Sequence, residues 1–134
     1  MIGLDTNVLV RYLMQDDDVQ SPIATRFVES LTAENPGFVT LVATVEMVWV
    51  LSLAYRLTRD QIGQALEALL CSREIVIDEG ADVLRALRAF QDGSADFADC
   101  LIERLASRAG CERTVTFDAR AAKTAGMTLP EHET

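Results

Sequence analysis

Two rhythms of apolar and polar positions divide this chain. Short apolar runs stop at an acid, and longer stretches repeat their apolar residues at three and four. The opening run Met1-Ile2-Gly3-Leu4 ends at Asp5. A strand buried on both faces reads as such a continuous apolar run, so the pattern predicts a buried parallel strand with a carboxylate at its C-terminal end. Asp5-Thr6-Asn7 then suits a tight turn and a helix N-cap, before Val8, Leu9, Tyr12 and Leu13 resume at helical spacing. Ligands of open α/β sheets sit outside the carboxyl ends of the strands, which makes Asp5 a site candidate as well as a cap.

Further along, Gln15-Asp16-Asp17-Asp18 reads as an exposed loop, because three consecutive acids point in different directions. Ser21-Pro22 predicts a helix start, with Ile23, Ala24, Phe27, Val28 and Leu31 as its stripe and an end near Asn35-Pro36-Gly37. Phe38 to Ala54 is the most hydrophobic stretch, yet Glu46 near its middle argues against a membrane span. The reading is a buried strand at Phe38-Val39, a cap at Thr40 and a helix apolar nearly all round, hence a core helix. Glu46 in such a helix is expected to be buried and to need a cation or an arginine partner. Trp49 is expected in the core or at a dimer contact.

Thr58 to Leu70 reads as an amphipathic helix with a capping-box start, Glu74–Asp78 as a short strand, and Ala81 to Phe90 as a helix ending near Asp92-Gly93. Ser94 is the expected cap of the next helix. Its acids Asp96 and Asp99, three apart, would share one face of the first turns, where the helix dipole favours negative charge. Arg113 to Phe117 alternates β-branched residues and ends on Asp118, repeating the opening logic. A helix over Ala119–Lys123 with a Gly126 stop follows, then Met127–Pro130 as a last edge strand. His132, the only histidine, carries no assignment.

Composition narrows the class. At 134 residues the chain fits one domain, residues 1–134, and its 25% charged and 49% apolar residues are those of a folding globular protein. Cys71, Cys100 and Cys111 lack metal-ligand spacing and are expected to be reduced core thiols in a cytoplasmic protein. No basic segment precedes the apolar opening, so secretion is not indicated. A net charge of −9 opposes general attraction to phosphate, so any nucleic-acid contact must be local. The candidates are Arg11, beyond Asp5, and Arg120 and Lys123, which follow Asp118.

Asp5 and Asp118 at strand ends, Glu46 within a helix and Asp99 near a helix start thus share a context. Carboxylates gathered a few ångströms apart raise one another's pKa or require a cation, and an all-carboxylate set suits a hard divalent ion, Mg²⁺ or Mn²⁺, rather than zinc. Such an ion keeps waters, one of which can be activated against a phosphorus.

In its order of motifs the chain resembles the PIN-domain ribonucleases, among them the VapC-type toxins of toxin–antitoxin pairs. The matching pieces are Gly3-Leu4-Asp5-Thr6-Asn7-Val8-Leu9-Val10, Val45-Glu46-Met47-Val48-Trp49-Val50-Leu51, Asp96-Phe97-Ala98-Asp99-Cys100-Leu101-Ile102 and Thr116-Phe117-Asp118. The resemblance implies a three-layer α/β/α domain with a central, mostly parallel sheet, and an acidic quartet of Asp5, Glu46, Asp99 and Asp118. Asp96 would be an additional acid, with Thr6, Asn7 and Thr116 as polar support. It also implies cleavage of RNA with Mg²⁺ or Mn²⁺, a homodimer and a cognate antitoxin. Cys100, where a small residue is expected, and the acidic total charge depart from the pattern. The alternatives are a housekeeping RNA-processing nuclease and a phosphotransferase or receiver-like domain phosphorylated at Asp5. The latter is disfavoured because Asn7 stands where a haloacid-dehalogenase-like phosphatase has its second aspartate.

Overall fold

The computed structural model describes residues 1–130; His132 and the acidic tail around it lie outside the described residues. The chain forms two compact units, Met1–Gly80 and Ala81 onward.

In the first unit, strand β1 (Ile2–Gly3), helices α1 (Thr6–Met14) and α2 (Gln20–Glu29), strand β2 (Gly37–Val39), helices α3 (Leu41–Leu53) and α4 (Arg59–Leu70) and strand β3 (Ile75–Ile77) follow in chain order. The three strands are parallel in the order β1-β2-β3, with Ile2 opposite Gly37 and Phe38 opposite Val76. Parallel neighbours need crossover connections, and helices supply them. Gly37 is required by packing: a Cβ there would meet Leu4 Cδ1 at 2.7 Å, so its absence lets Leu4 bury against β2 immediately before Asp5. Leu9, Val39, Met47, Leu51, Ile62 and Leu66 fill the core of this unit.

Several expected boundaries move for identifiable reasons. Helix α2 begins at Gln20 and not at Ser21, because Asp17 Oδ1 accepts from Val19 N (3.0 Å) and Gln20 N (2.6 Å) and caps the turn from upstream. It ends at Glu29, well short of Pro36. Helix α4 carries the expected capping box, Thr58 with Gln61. The opening strand, expected to be buried, is exposed at Ile2 and Gly3, and burial starts at Leu4. Helix α3 is not enclosed on all sides either. Ala43, Thr44, Met47, Val48 and Leu51 form its core face, whereas Val42, Trp49 and Leu53 are exposed.

The second unit comprises α5 (Gly80–Asp92), α6 (Phe97–Arg108) and α7 (Ala119–Thr124), with an isolated parallel bridge between Val115 and Thr128 in place of the two expected strands. The rings of Phe90 and Phe97 meet edge to face at 6.1 Å, joining α5 to α6. A buried carboxylate joins them again: Asp82 accepts from Arg104 Nε at 3.1 Å and Arg108 Nη1 at 2.6 Å. Of the cysteines, Cys100 is buried but Cys71 and Cys111 are exposed, against the expectation of three core thiols; none of them forms a disulfide. Among the described residues no helix is long and apolar enough to cross a membrane.

Candidate active site

Asp5 leaves β1 with extended backbone and caps α1, its Oδ1 accepting from Thr6 N at 2.8 Å. The cap fixes the side chain while Oδ2 takes no hydrogen bond among the described residues. Thr6, at the first position of α1, donates from Oγ1 to Glu46 Oε1 at 3.0 Å and so ties α1 to α3. Asp5, Thr6, Asn7, Arg11, Glu46 and Tyr55 line one groove of about 460 Å³. Glu46 is exposed, contrary to the expectation of a buried acid, because the side of α3 that carries it is the uncovered one. It makes no ion pair among the described residues, so the arginine partner expected of a structural acid is absent there. A larger groove of about 530 Å³ between α1 and α2 is lined mainly by apolar residues and contains none of these acids.

The second unit repeats the capping device at Asp118. Its Oδ1 accepts from Arg120 N at 2.8 Å and Ala121 N at 3.4 Å, and its own N–H donates to Thr116 Oγ1 at 3.0 Å. Thr116 thus contacts the backbone of the acid from a segment that forms an isolated bridge at Val115 and not a strand. Asp99 stands in the first turn of α6 and Asp96 at its N-cap, where Asp96 makes no side-chain cap bond. Ser94, the expected cap, lies upstream of the helix: the N–H groups of Ser94 (3.2 Å) and Ala95 (3.0 Å) donate to Thr124 Oγ1. Thr124 therefore pins the approach to α6 against α7, and a Cβ at Gly93 would collide with the Thr124 Cβ at 2.8 Å. No sequence signal marked Thr124, since its role depends on residues thirty positions away.

Burial pushes the pKa of Asp99 up, and the charges of Asp96 and Asp118 push it further, against a smaller opposing effect of Arg120. Its negative charge is under-compensated. Of the other basic candidates, Lys123 makes no ion pair with these acids among the described residues, and Arg11 is held by Gln20, Tyr55 and Asp16. Neither Tyr55 nor Asp16 was singled out in the sequence; an acid within an Asp triplet and a tyrosine at a helix end carry no distinctive pattern.

The donors in both units are carboxylate and hydroxyl oxygens, the chemistry of a hard divalent cation, and the excess negative charge at Asp99 is what such an ion would relieve. In that respect the residues fit Mg²⁺ or Mn²⁺. Among the described residues no group of three or more acidic, histidine or cysteine side chains is arranged to hold a metal.

Comparison with known proteins bears on the whole chain. It is 25% identical over 130 residues to a VapC ribonuclease of Aquifex aeolicus (strain VF5), covering 97% of this chain and 96% of that protein. The PIN domain family matches residues 2–127. With its parallel sheet, its crossover helices and a match over nearly its full length, the chain belongs to the PIN domain family.

Proposed function

We propose that this protein is a divalent-metal-dependent endoribonuclease, the toxin of a toxin–antitoxin pair. Asp5, Glu46, Asp99 and Asp118 serve one reaction, with Asp96 as an auxiliary acid, and residues 1–134 work as a single domain. One observation carries the reading: Asp99 is held partly buried beside two further acids whose charges raise its pKa. A fold keeps such repulsion when a cation is to be bound there.

The chain's own residues prepare this in a consistent way. Capping bonds occupy one oxygen of Asp5 and one of Asp118, which fixes each carboxylate and leaves its second oxygen for a ligand. Thr6 orients Glu46, and Thr116 holds the backbone of Asp118. Bound by these acids, Mg²⁺ or Mn²⁺ would supply activation of water and neutralisation of charge at the phosphodiester. The relative from Aquifex aeolicus, a ribonuclease by name, supports RNA as the substrate. The partners expected are RNA, a cognate antitoxin and a second copy of the chain in the cytoplasm; the exposed Val42, Trp49 and Leu53 of α3 support a homodimer.

The test is cleavage of single-stranded RNA by the purified chain with Mg²⁺ or Mn²⁺, with Asp99→Asn as the comparison. Cutting by the parent and none by the variant is the expected result. Equal cutting by both would remove the site. Housekeeping RNA maturation would use the same chemistry, and growth arrest on expression, relieved by an adjacent small gene, marks the toxin.

A further inference from the structure

Arg11 shares the groove of Asp5 and Glu46 yet forms an ion pair with neither. A guanidinium free to choose would turn to the carboxylates, since charge-assisted pairs are the stronger bonds. It is held away from them. From α1 its Nε donates to Oε1 of Gln20, the first residue of α2, at 2.8 Å, and its Nη1 donates to Tyr55 Oη at 3.3 Å. Tyr55 follows the end of α3, and its hydroxyl donates to Asp16 Oδ2 at 2.7 Å. That hydrogen bond to Asp16 and burial push the Tyr55 pKa up, so the phenol stays protonated and keeps its donor. Asp16 itself reaches Arg11 only at 3.5 Å, a long, partly exposed contact that leaves much of the positive charge uncompensated. Nη2 has no partner among the described residues.

Two carboxylates and an oriented, incompletely neutralised guanidinium therefore face one cavity without pairing. That arrangement suits a ligand with an anionic group for the arginine and a cation for the acids. We propose that Arg11 grips a backbone phosphate of the RNA in this groove, and that Gln20, Tyr55 and Asp16 are positioning residues that hold the guanidinium so that its Nη2 is left for that phosphate. The proposal rests on the nuclease reading above. It also accounts for how a chain of net charge −9 holds RNA: by one pre-aimed cation and not by a basic surface.

The experiment uses the full chain with Asp99→Asn to suppress cleavage, Mg²⁺ present, and a fluorescent single-stranded oligoribonucleotide whose affinity is followed against salt. Arg11→Gln should weaken binding and flatten the slope of log affinity against log salt by about 0.7, the contribution of one phosphate contact on a single strand. Arg11→Lys and Tyr55→Phe keep the charge but lose the planar guanidinium or its anchor, so they should weaken binding with the slope unchanged. In the cleaving parent, Tyr55→Phe should raise KM more than it lowers kcat. Melting curves of all variants establish that they fold, and the two charge-preserving changes decide the matter if Arg11→Gln does not. A parent that cuts RNA while Arg11→Gln, or failing that Tyr55→Phe and Arg11→Lys, binds like it at every salt concentration overturns this proposal alone. A parent that neither binds nor cuts RNA overturns the nuclease reading and this one with it.

Discussion

Helix α6 meets two aspartates with opposite fates. Toward its C-terminal half, Arg104 and Arg108 hold Asp82 of α5, which is buried to 6% exposure. Burial by itself would push the Asp82 pKa up, but hydrogen bonds from the two arginines, then their charges, outweigh it and hold the carboxyl below the usual aspartate range. In its first turn Asp99 is also partly buried, but its neighbours are acids and its pKa is raised. One fold thus neutralises a buried carboxylate with one contact from each of two arginines and leaves another in like-charge company. An acid that only needs to be tolerated is paired; an acid left unpaired beside others is available for a cation.

The largest expected effect separates the two by metal alone. Chelation with EDTA should abolish RNA cleavage while leaving the Asp82 contacts intact, and Mg²⁺ or Mn²⁺, but not Ca²⁺, should restore it, because calcium favours more and looser oxygen ligands. Gel assays of cleavage beside melting curves with and without EDTA read both halves. Cleavage that persists in EDTA would erase the contrast.

Next in size, Asp99→Asn should reduce cleavage by at least about a hundredfold, the scale of a lost electrostatic stabiliser. Metal-free, the variant should melt at the same temperature as the parent or higher at neutral pH. The sign follows from linkage. A folded pKa above the ordinary 3.8 means the fold binds more protons, so the parent loses stability as pH rises through that interval, and the asparagine variant does not. The gain should vanish below pH 3.8. Asp5→Asn, Glu46→Gln and Asp118→Asn should share the loss of cleavage.

Asp82→Asn should do the reverse, lowering the melting temperature with or without metal, because Arg104 and Arg108 lose their ionic partner. Here the folded pKa lies below 3.8, so the stabilisation is complete above that pH and is lost as pH falls toward the folded value. Melting curves from neutral to acid pH should therefore converge for parent and variant only in strong acid. A variant as stable as the parent at neutral pH would reduce the contact to decoration.

The smallest effect concerns support. Thr6→Val removes the hydrogen bond to Glu46, a contact of about 1 kcal/mol, and should slow cleavage about fivefold with stability little changed. Steady-state kinetics with a saturating metal concentration would resolve it, and an unchanged kcat/KM would show that Glu46 needs no orienting.

What the sequence determined by itself was whatever neighbouring residues settle among themselves. Asp5 and Asp118 are caps because a short acid before a helical stretch accepts the first free N–H groups, and Thr58 with Gln61 closes its own capping box, all within three positions. Hydrophobic periodicity likewise located α3 to within a residue or two, along with the strand before it and the crossover pattern of a parallel sheet. Only the tertiary structure decided which faces are covered. Glu46 sits among apolar neighbours in sequence yet is exposed, and Val115 and Phe117 face outward, Phe117 at 88% exposure, in a segment read as a strand. Tertiary structure also brought Tyr55 and Asp16 to Arg11, and Thr124 to the start of α6, across separations of up to 44 residues. A capping bond is chosen within a turn of the chain, whereas burial and long-range hydrogen bonding depend on which distant segment arrives, and composition along the chain does not encode that locally.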